Sequence, residues 1–69
     1  MDPETEKRID NIIVETSSKL EAIVQEMNTI KLSELDDVTK RAKTNSLRIE
    51  FESVLTEQQR RVEEIMREN

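Results

Sequence analysis

This chain of 69 residues has no cysteine, histidine, glycine, tryptophan or tyrosine, and only one proline and one phenylalanine. Each absence excludes something. Without cysteine no disulfide can staple a small fold, and a reducing compartment is the fitting environment. Without histidine and cysteine, the neutral-pH base, the thiol nucleophile and the usual metal ligands are missing. Without glycine, a helix loses its usual stop. No apolar run approaches the ~20 residues of a membrane span. The start is acidic and charged and carries no signal-peptide pattern. A soluble intracellular protein, cytoplasmic by default and without a cofactor, is the expectation.

The net charge is −5, with acids and bases intermixed, which argues against a dedicated nucleic-acid or membrane binder because phosphate binding needs a positive excess. Lys40, Arg41, Lys43 and Arg48 form a local basic cluster. It is either a solvated helix face or a contact for an acidic partner, including nucleic acid.

What is present is helical spacing. Ile9, Ile13, Thr16, Leu20, Ile23, Met27 and Ile30 recur at alternating steps of four and three, which only an α-helix places on one side. Asp2 caps the start, Pro3 suits the first helical position, and Glu4 and Glu6 meet the positive end of the dipole. The first helix is predicted over about 3–30. Its register ends there, because Glu34 and Asp37 hold the next heptad places. Ser33 offers a cap with Asp36 three residues on, a capping-box spacing. A turn over about 31–33 would then fold a second helix, about 34–67, back on the first. One continuous helix with a phase break is the alternative.

In the second half Leu47, Phe51, Val54, Leu55, Val62, Ile65 and Met66 share one arc, while Leu35, Val38, Ala42 and Ile49 lie roughly opposite. Either the helix breaks near Thr44-Asn45-Ser46, residues that favour caps and turns, or it is unbroken and touches different partners along its length. The unbroken helix is preferred, since nothing stronger than Asn45 interrupts it. Glu4–Arg8, Glu15–Lys19, Asp36–Lys40, Asp37–Arg41, Glu57–Arg61 and Glu63–Arg67 are acid-first i,i+4 pairs, which support helicity and solubility.

The fold class expected is all-α: a helix–turn–helix hairpin or coiled coil, one unit over 1–69, oligomeric because so short a chain builds too small a core alone. The expected interface is Ile9, Ile13, Leu20, Ile23, Met27, Ile30, Leu47, Phe51, Leu55, Val62 and Ile65. Its partner is a second copy or the helices of a larger protein. Thr16 and Gln58 are polar positions within the stripes, the type that sets coiled-coil register. A hairpin offers little concave volume for chemistry, and Ser17, Ser18 and Ser53 have no evident activating base. No catalytic or metal-binding residue is assigned, and a non-catalytic assembly module is the functional expectation.

Leu20-Glu21-Ala22-Ile23-Val24 resembles the L-E-x-I-V segment of the exodeoxyribonuclease VII small subunit family. The likeness continues without gaps through Leu32, Val38, Leu47, Leu55 and Val62-Glu63-Glu64, covering roughly residues 13–65. The family usually has phenylalanine where Ile13 stands, an aromatic residue at Arg41, glycines at Ile30 and Thr44, and A-E at Gln58-Gln59. The resemblance implies a non-catalytic subunit bound to helices of a large nuclease subunit that degrades single-stranded DNA. It carries no catalytic residue to this chain.

Overall fold

The computed structural model describes residues 2–68. Two helices, α1 (Pro3–Leu32) and α2 (Asp37–Glu68), fold back on each other as a hairpin, with no strand among the described residues. At the start, Asp2 is the N-cap and Pro3 the first helical residue. The Thr5 N–H donates to Asp2 Oδ1 at 2.7 Å and the Glu6 N–H to the Asp2 carbonyl at 3.1 Å. The first of these satisfies a donor that a helix start otherwise leaves orphaned, and the second is the first bond of the helix.

The turn lies later than expected, over residues 33–36, because Ser33 closes α1 rather than opening α2. Its backbone is extended (φ −75°, ψ 169°), its N–H donates to the Ile30 carbonyl at 3.1 Å, and its hydroxyl donates to the same oxygen at 2.6 Å. A hydroxyl and an extended residue thus end the helix without glycine, and no described residue takes a positive φ. Asp36, expected three places inside α2, is instead its cap. The Thr39 N–H donates to Asp36 Oδ1 at 2.7 Å and the Lys40 N–H to the Asp36 carbonyl at 2.9 Å. A carboxylate complements the positive helix end better than a serine hydroxyl, so the cap falls to Asp36. The Lys40 ammonium then donates to the Lys31 carbonyl at 3.2 Å, placing positive charge on the C-terminal end of α1.

α2 runs unbroken through Thr44-Asn45-Ser46. Among its buried and half-buried positions, Lys40, Thr44, Leu47, Phe51, Val54, Gln58, Arg61 and Ile65 recur at steps of four and three, the period of a helix packed along one partner. On α1 the matching positions are Thr5, Ile9, Ile12, Thr16, Leu20, Ile23, Met27 and Ile30. One extra step of four, Thr16 to Leu20, is a local departure from the heptad of the kind that unwinds a supercoil.

The Cα envelope is 51 × 16 × 9 Å. It is a single layer in which each helix has one neighbour, so every seam residue meets solvent at its flanks. Ile12, Ile23, Leu47 and Ile65 are the buried apolar residues, Thr5 and Thr16 the buried polar ones, and no described side chain is wholly enclosed. No helix among the described residues is long and apolar enough to cross a membrane.

Candidate interaction surface

The seam leaves two broad faces, and they differ in chemistry. One is polar. Arg8 Nη1 reaches Glu68 Oε2 at 2.9 Å, and Arg61 Nη1 reaches Glu15 Oε2 at 3.2 Å. Lys19 pairs with the other oxygen of Glu15 at 3.4 Å. These groups show which flanks of α1 and α2 meet. The Arg61 hydrogen bond, reinforced by its charge and by Lys19, holds the Glu15 carboxyl below its ordinary value. Among the expected i,i+4 pairs Glu15–Lys19 forms, whereas Arg8 and Arg61 cross to the other helix. Arg60, rather than Arg61, takes Glu57, and it reaches Glu64 at 2.5 Å. The hydrogen bond from Arg60 lowers the Glu57 carboxyl, and Glu57 in turn raises the guanidinium.

The other face is apolar. Taking 100° per residue, Ile13, Leu20 and Val24 fall on the side of α1 away from Arg8 and Glu15. Leu55, Val62 and Met66 fall on the side of α2 away from Glu57 and Arg61. Because both helices are right-handed and run antiparallel, these two flanks share one face. Ile13, Val24, Leu55 and Met66 are exposed there, with Leu20, Phe51 and Val62 half-buried at its centre line.

The expected interface divides on this geometry. Ile23, Leu47 and Ile65 are buried in the seam, and Ile9, Leu20, Met27, Ile30, Phe51 and Val62 are half-buried along it. Ile13 and Leu55 are not in the seam: they are 43% and 42% exposed. Their places are taken by Ile12 and Val54, the residues one position earlier. Spacing alone reads either member of these adjacent pairs as part of one wide stripe, and only the direction of the neighbouring helix separates them. Of the two polar stripe positions, Thr16 is 5% exposed and Gln58 half-buried, and both line one cleft between the helices. Thr5, Lys40, Thr44 and Arg61 were missed as seam residues. Thr5 was legible, since it continues the stripe four residues before Ile9.

Of the further apolar strip, Val38, Ala42 and Ile49 lie on the edge of α2 remote from α1, with Val38 78% exposed, whereas Leu35 lies in the turn before the helix. The basic cluster does not share one face. Lys40 is turned to the α1 terminus, Lys43 lines a groove with Glu26 and Thr29, and helical rotation carries Arg41 and Arg48 to the apolar face. Among the described residues no group of three or more histidine, cysteine or acidic side chains is arranged to hold a metal.

The class these elements define is an all-α helical hairpin with one broad face of cross-helix ion pairs and one that carries an apolar band. No protein-family model, curated protein or solved structure matches the chain.

Proposed function

We propose that this chain is a non-catalytic assembly module: it joins protein subunits by helix packing, as an oligomerisation or scaffold element. The observation that carries this reading is the apolar face just described. The hairpin uses only the seam for its own folding, and two helices in one layer leave Ile13, Val24, Leu55 and Met66 in water. Contiguous apolar surface of this kind on a small charged protein marks an interaction site. The charged groups elsewhere keep the module soluble and oppose wrong pairings.

Sedimentation equilibrium on the isolated chain tests the reading, together with circular dichroism across a range of concentrations. Association with a concentration-dependent gain of helicity is expected, and Leu20→Asp should abolish both, because it sets a charge in an apolar surface. A helical monomer that ignores concentration would contradict self-association. Retention of the oligomer by Leu20→Asp would sink the proposed interface.

A second reading is an accessory small subunit of an exodeoxyribonuclease VII-like nuclease. It is favoured by the positions of Leu32 and Val38, which the resemblance includes and which are 84% and 78% exposed in the hairpin. They are free to meet helices of another protein. It predicts a large subunit, encoded nearby, that co-purifies with DNase activity against single strands. Absence of such a gene beside this one weighs against it.

A further inference from the structure

The apolar face has a charge pattern that selects its occupant. We propose that it binds a second copy of this chain face to face, with the two hairpins pointing in opposite directions and their turns at opposite ends of a four-helix bundle. This rests on the reading of the chain as an assembly module and names the partner and its orientation.

The register comes first. Arg8 pairs with Glu68 and Glu15 with Arg61, so seven residues up α1 correspond to seven residues down α2. Continued along the hairpin, that register brings Ile13 nearly level with Val62, Leu20 with Leu55, and Val24 with Phe51. The apolar surface is therefore a band across both helices, centred between the levels of Ser18 and Lys19 on α1. Beyond it toward the turn, the same flanks carry Lys31, Arg41 and Arg48, which outnumber Asp37. Toward the open end they carry Glu6 and Asp10.

A half-turn about an axis lying across the helices at the Ser18–Lys19 level superposes this band on itself. Ile13 then lies over Val24 of the second copy, Phe51 over Val62, and Glu6 over Lys31. Glu6 and Lys31 are equally distant from that axis, so each dimer makes the pair twice. If the turns lay together, α1 would lie over α2 of the second copy, so Lys31 would face Arg41 and Arg48, which like-charge repulsion opposes, and Glu6 would lose its basic partner. The size is also suitable. A face 51 × 16 Å across presents on the order of 800 Å², the area per partner of a standard interface.

The test is a charge swap read by sedimentation equilibrium at low salt on the full chain. Lys31→Glu and Glu6→Lys should each weaken the dimer on the order of tenfold, counting two surface ion pairs. The double variant should restore it. Within the hairpin both changes oppose the helix dipole, a positive charge at a helix start and a negative one at a helix end. Recovery in the double variant therefore arises between copies. Ile13→Asp should weaken the dimer on the order of 100-fold, while Val14→Asp, on the outer edge of α1, should not change it. Since the chain has no cysteine, single nitroxide labels give an independent reading. Labels at Ser17→Cys should lie close together across the dimer, and labels at Asn28→Cys about 29 Å apart along the axis at 1.5 Å per residue.

An oligomer indifferent to Ile13→Asp, or one whose double charge variant stays weak, overturns this inference and leaves the assembly reading standing. Close labels at Asn28→Cys overturn the orientation. A monomer at every concentration overturns both the inference and self-association.

Discussion

Arg61 Nη1 lies 3.2 Å from Glu15 Oε2, a hydrogen-bonded ion pair joining residues 46 positions apart across the two helices. Simple i,i+4 spacing assigns Arg61 to Glu57, but Glu57 is taken by Arg60. The cross-helix pair is partly exposed, so its worth is small and salt must screen it. A double-mutant cycle of Glu15→Gln and Arg61→Gln should show favourable coupling at low ionic strength that disappears near ~1 M salt, where the screening length falls to ~3 Å. No coupling at low salt would mean that the two groups do not interact in solution.

Ile23 and Ile13 have the same side chain in unlike surroundings. Ile23→Ala opens a cavity in the seam and should cost about 2–5 kcal/mol of hairpin stability, read by chemical denaturation. Ile13→Ala should cost the hairpin itself less than about 1 kcal/mol, because the side chain already faces solvent. Its larger effect should be on association. Equal losses at the two sites in a monomeric sample would contradict the seam described above.

Acid should weaken this fold through its caps. The hydrogen bonds from Thr5 and Thr39 hold Asp2 and Asp36 below their ordinary value of 3.8, and Glu15 lies below 4.5 because of Arg61. All three are lowered on folding, so their contribution is fully present above the ordinary values and is lost as pH falls through the depressed ones. With no histidine or cysteine side chain to titrate, thermal stability should be flat from about pH 6 to 8 and should decline below about pH 4. Asp36→Asn keeps a capping oxygen without a titrating group. It should flatten part of that acid slope, and an unchanged slope would remove Asp36 from the explanation.

Thr16 places a hydroxyl in the seam. Thr16→Val replaces it with a methyl group and should raise hairpin stability by up to about 0.8 kcal/mol. The register should become less strictly defined, since polar residues within a coiled-coil seam select register at a cost in stability. Differential scanning calorimetry reads the first effect and the spread of amide resonances the second. A fall in the melting temperature would show that the hydroxyl contributes more than its methyl replacement.

Asn45 lies exposed in the interior of α2. Asn45→Ala should add roughly 0.5 kcal/mol, the difference in helix propensity. Were residues 44–46 a turn, the same change would remove a favourable turn residue and destabilise. The sign of the change decides between the two.

Much of the architecture is legible along the chain because it depends on local chemistry. Asp2-Pro3 marks a helix start through capping and a fixed φ. The heptad places Ile9, Thr16, Ile23 and Ile30 mark one side of α1. The failing register after Ile30 marks a fold-back. Helix ends were less legible: Ser33 and Asp36 both qualify as caps, and the spacing assigned the start of α2 to the wrong one. Ser33 instead turns its hydroxyl backward onto Ile30, which leaves Asp36 to open the next helix.

The amino-acid order by itself determined two amphipathic helices, the charged exterior and a wide apolar arc on each helix, because period, propensity and capping act within a few residues. Only the tertiary structure decided which part of each arc is used inside the hairpin. Ile12 rather than Ile13, and Val54 rather than Leu55, turn to the neighbouring helix, because a packed helix offers one direction of contact and adjacent residues stand 100° apart. The same choice sends Arg61 across to Glu15 on one face and leaves Ile13, Val24, Leu55 and Met66 together on the other.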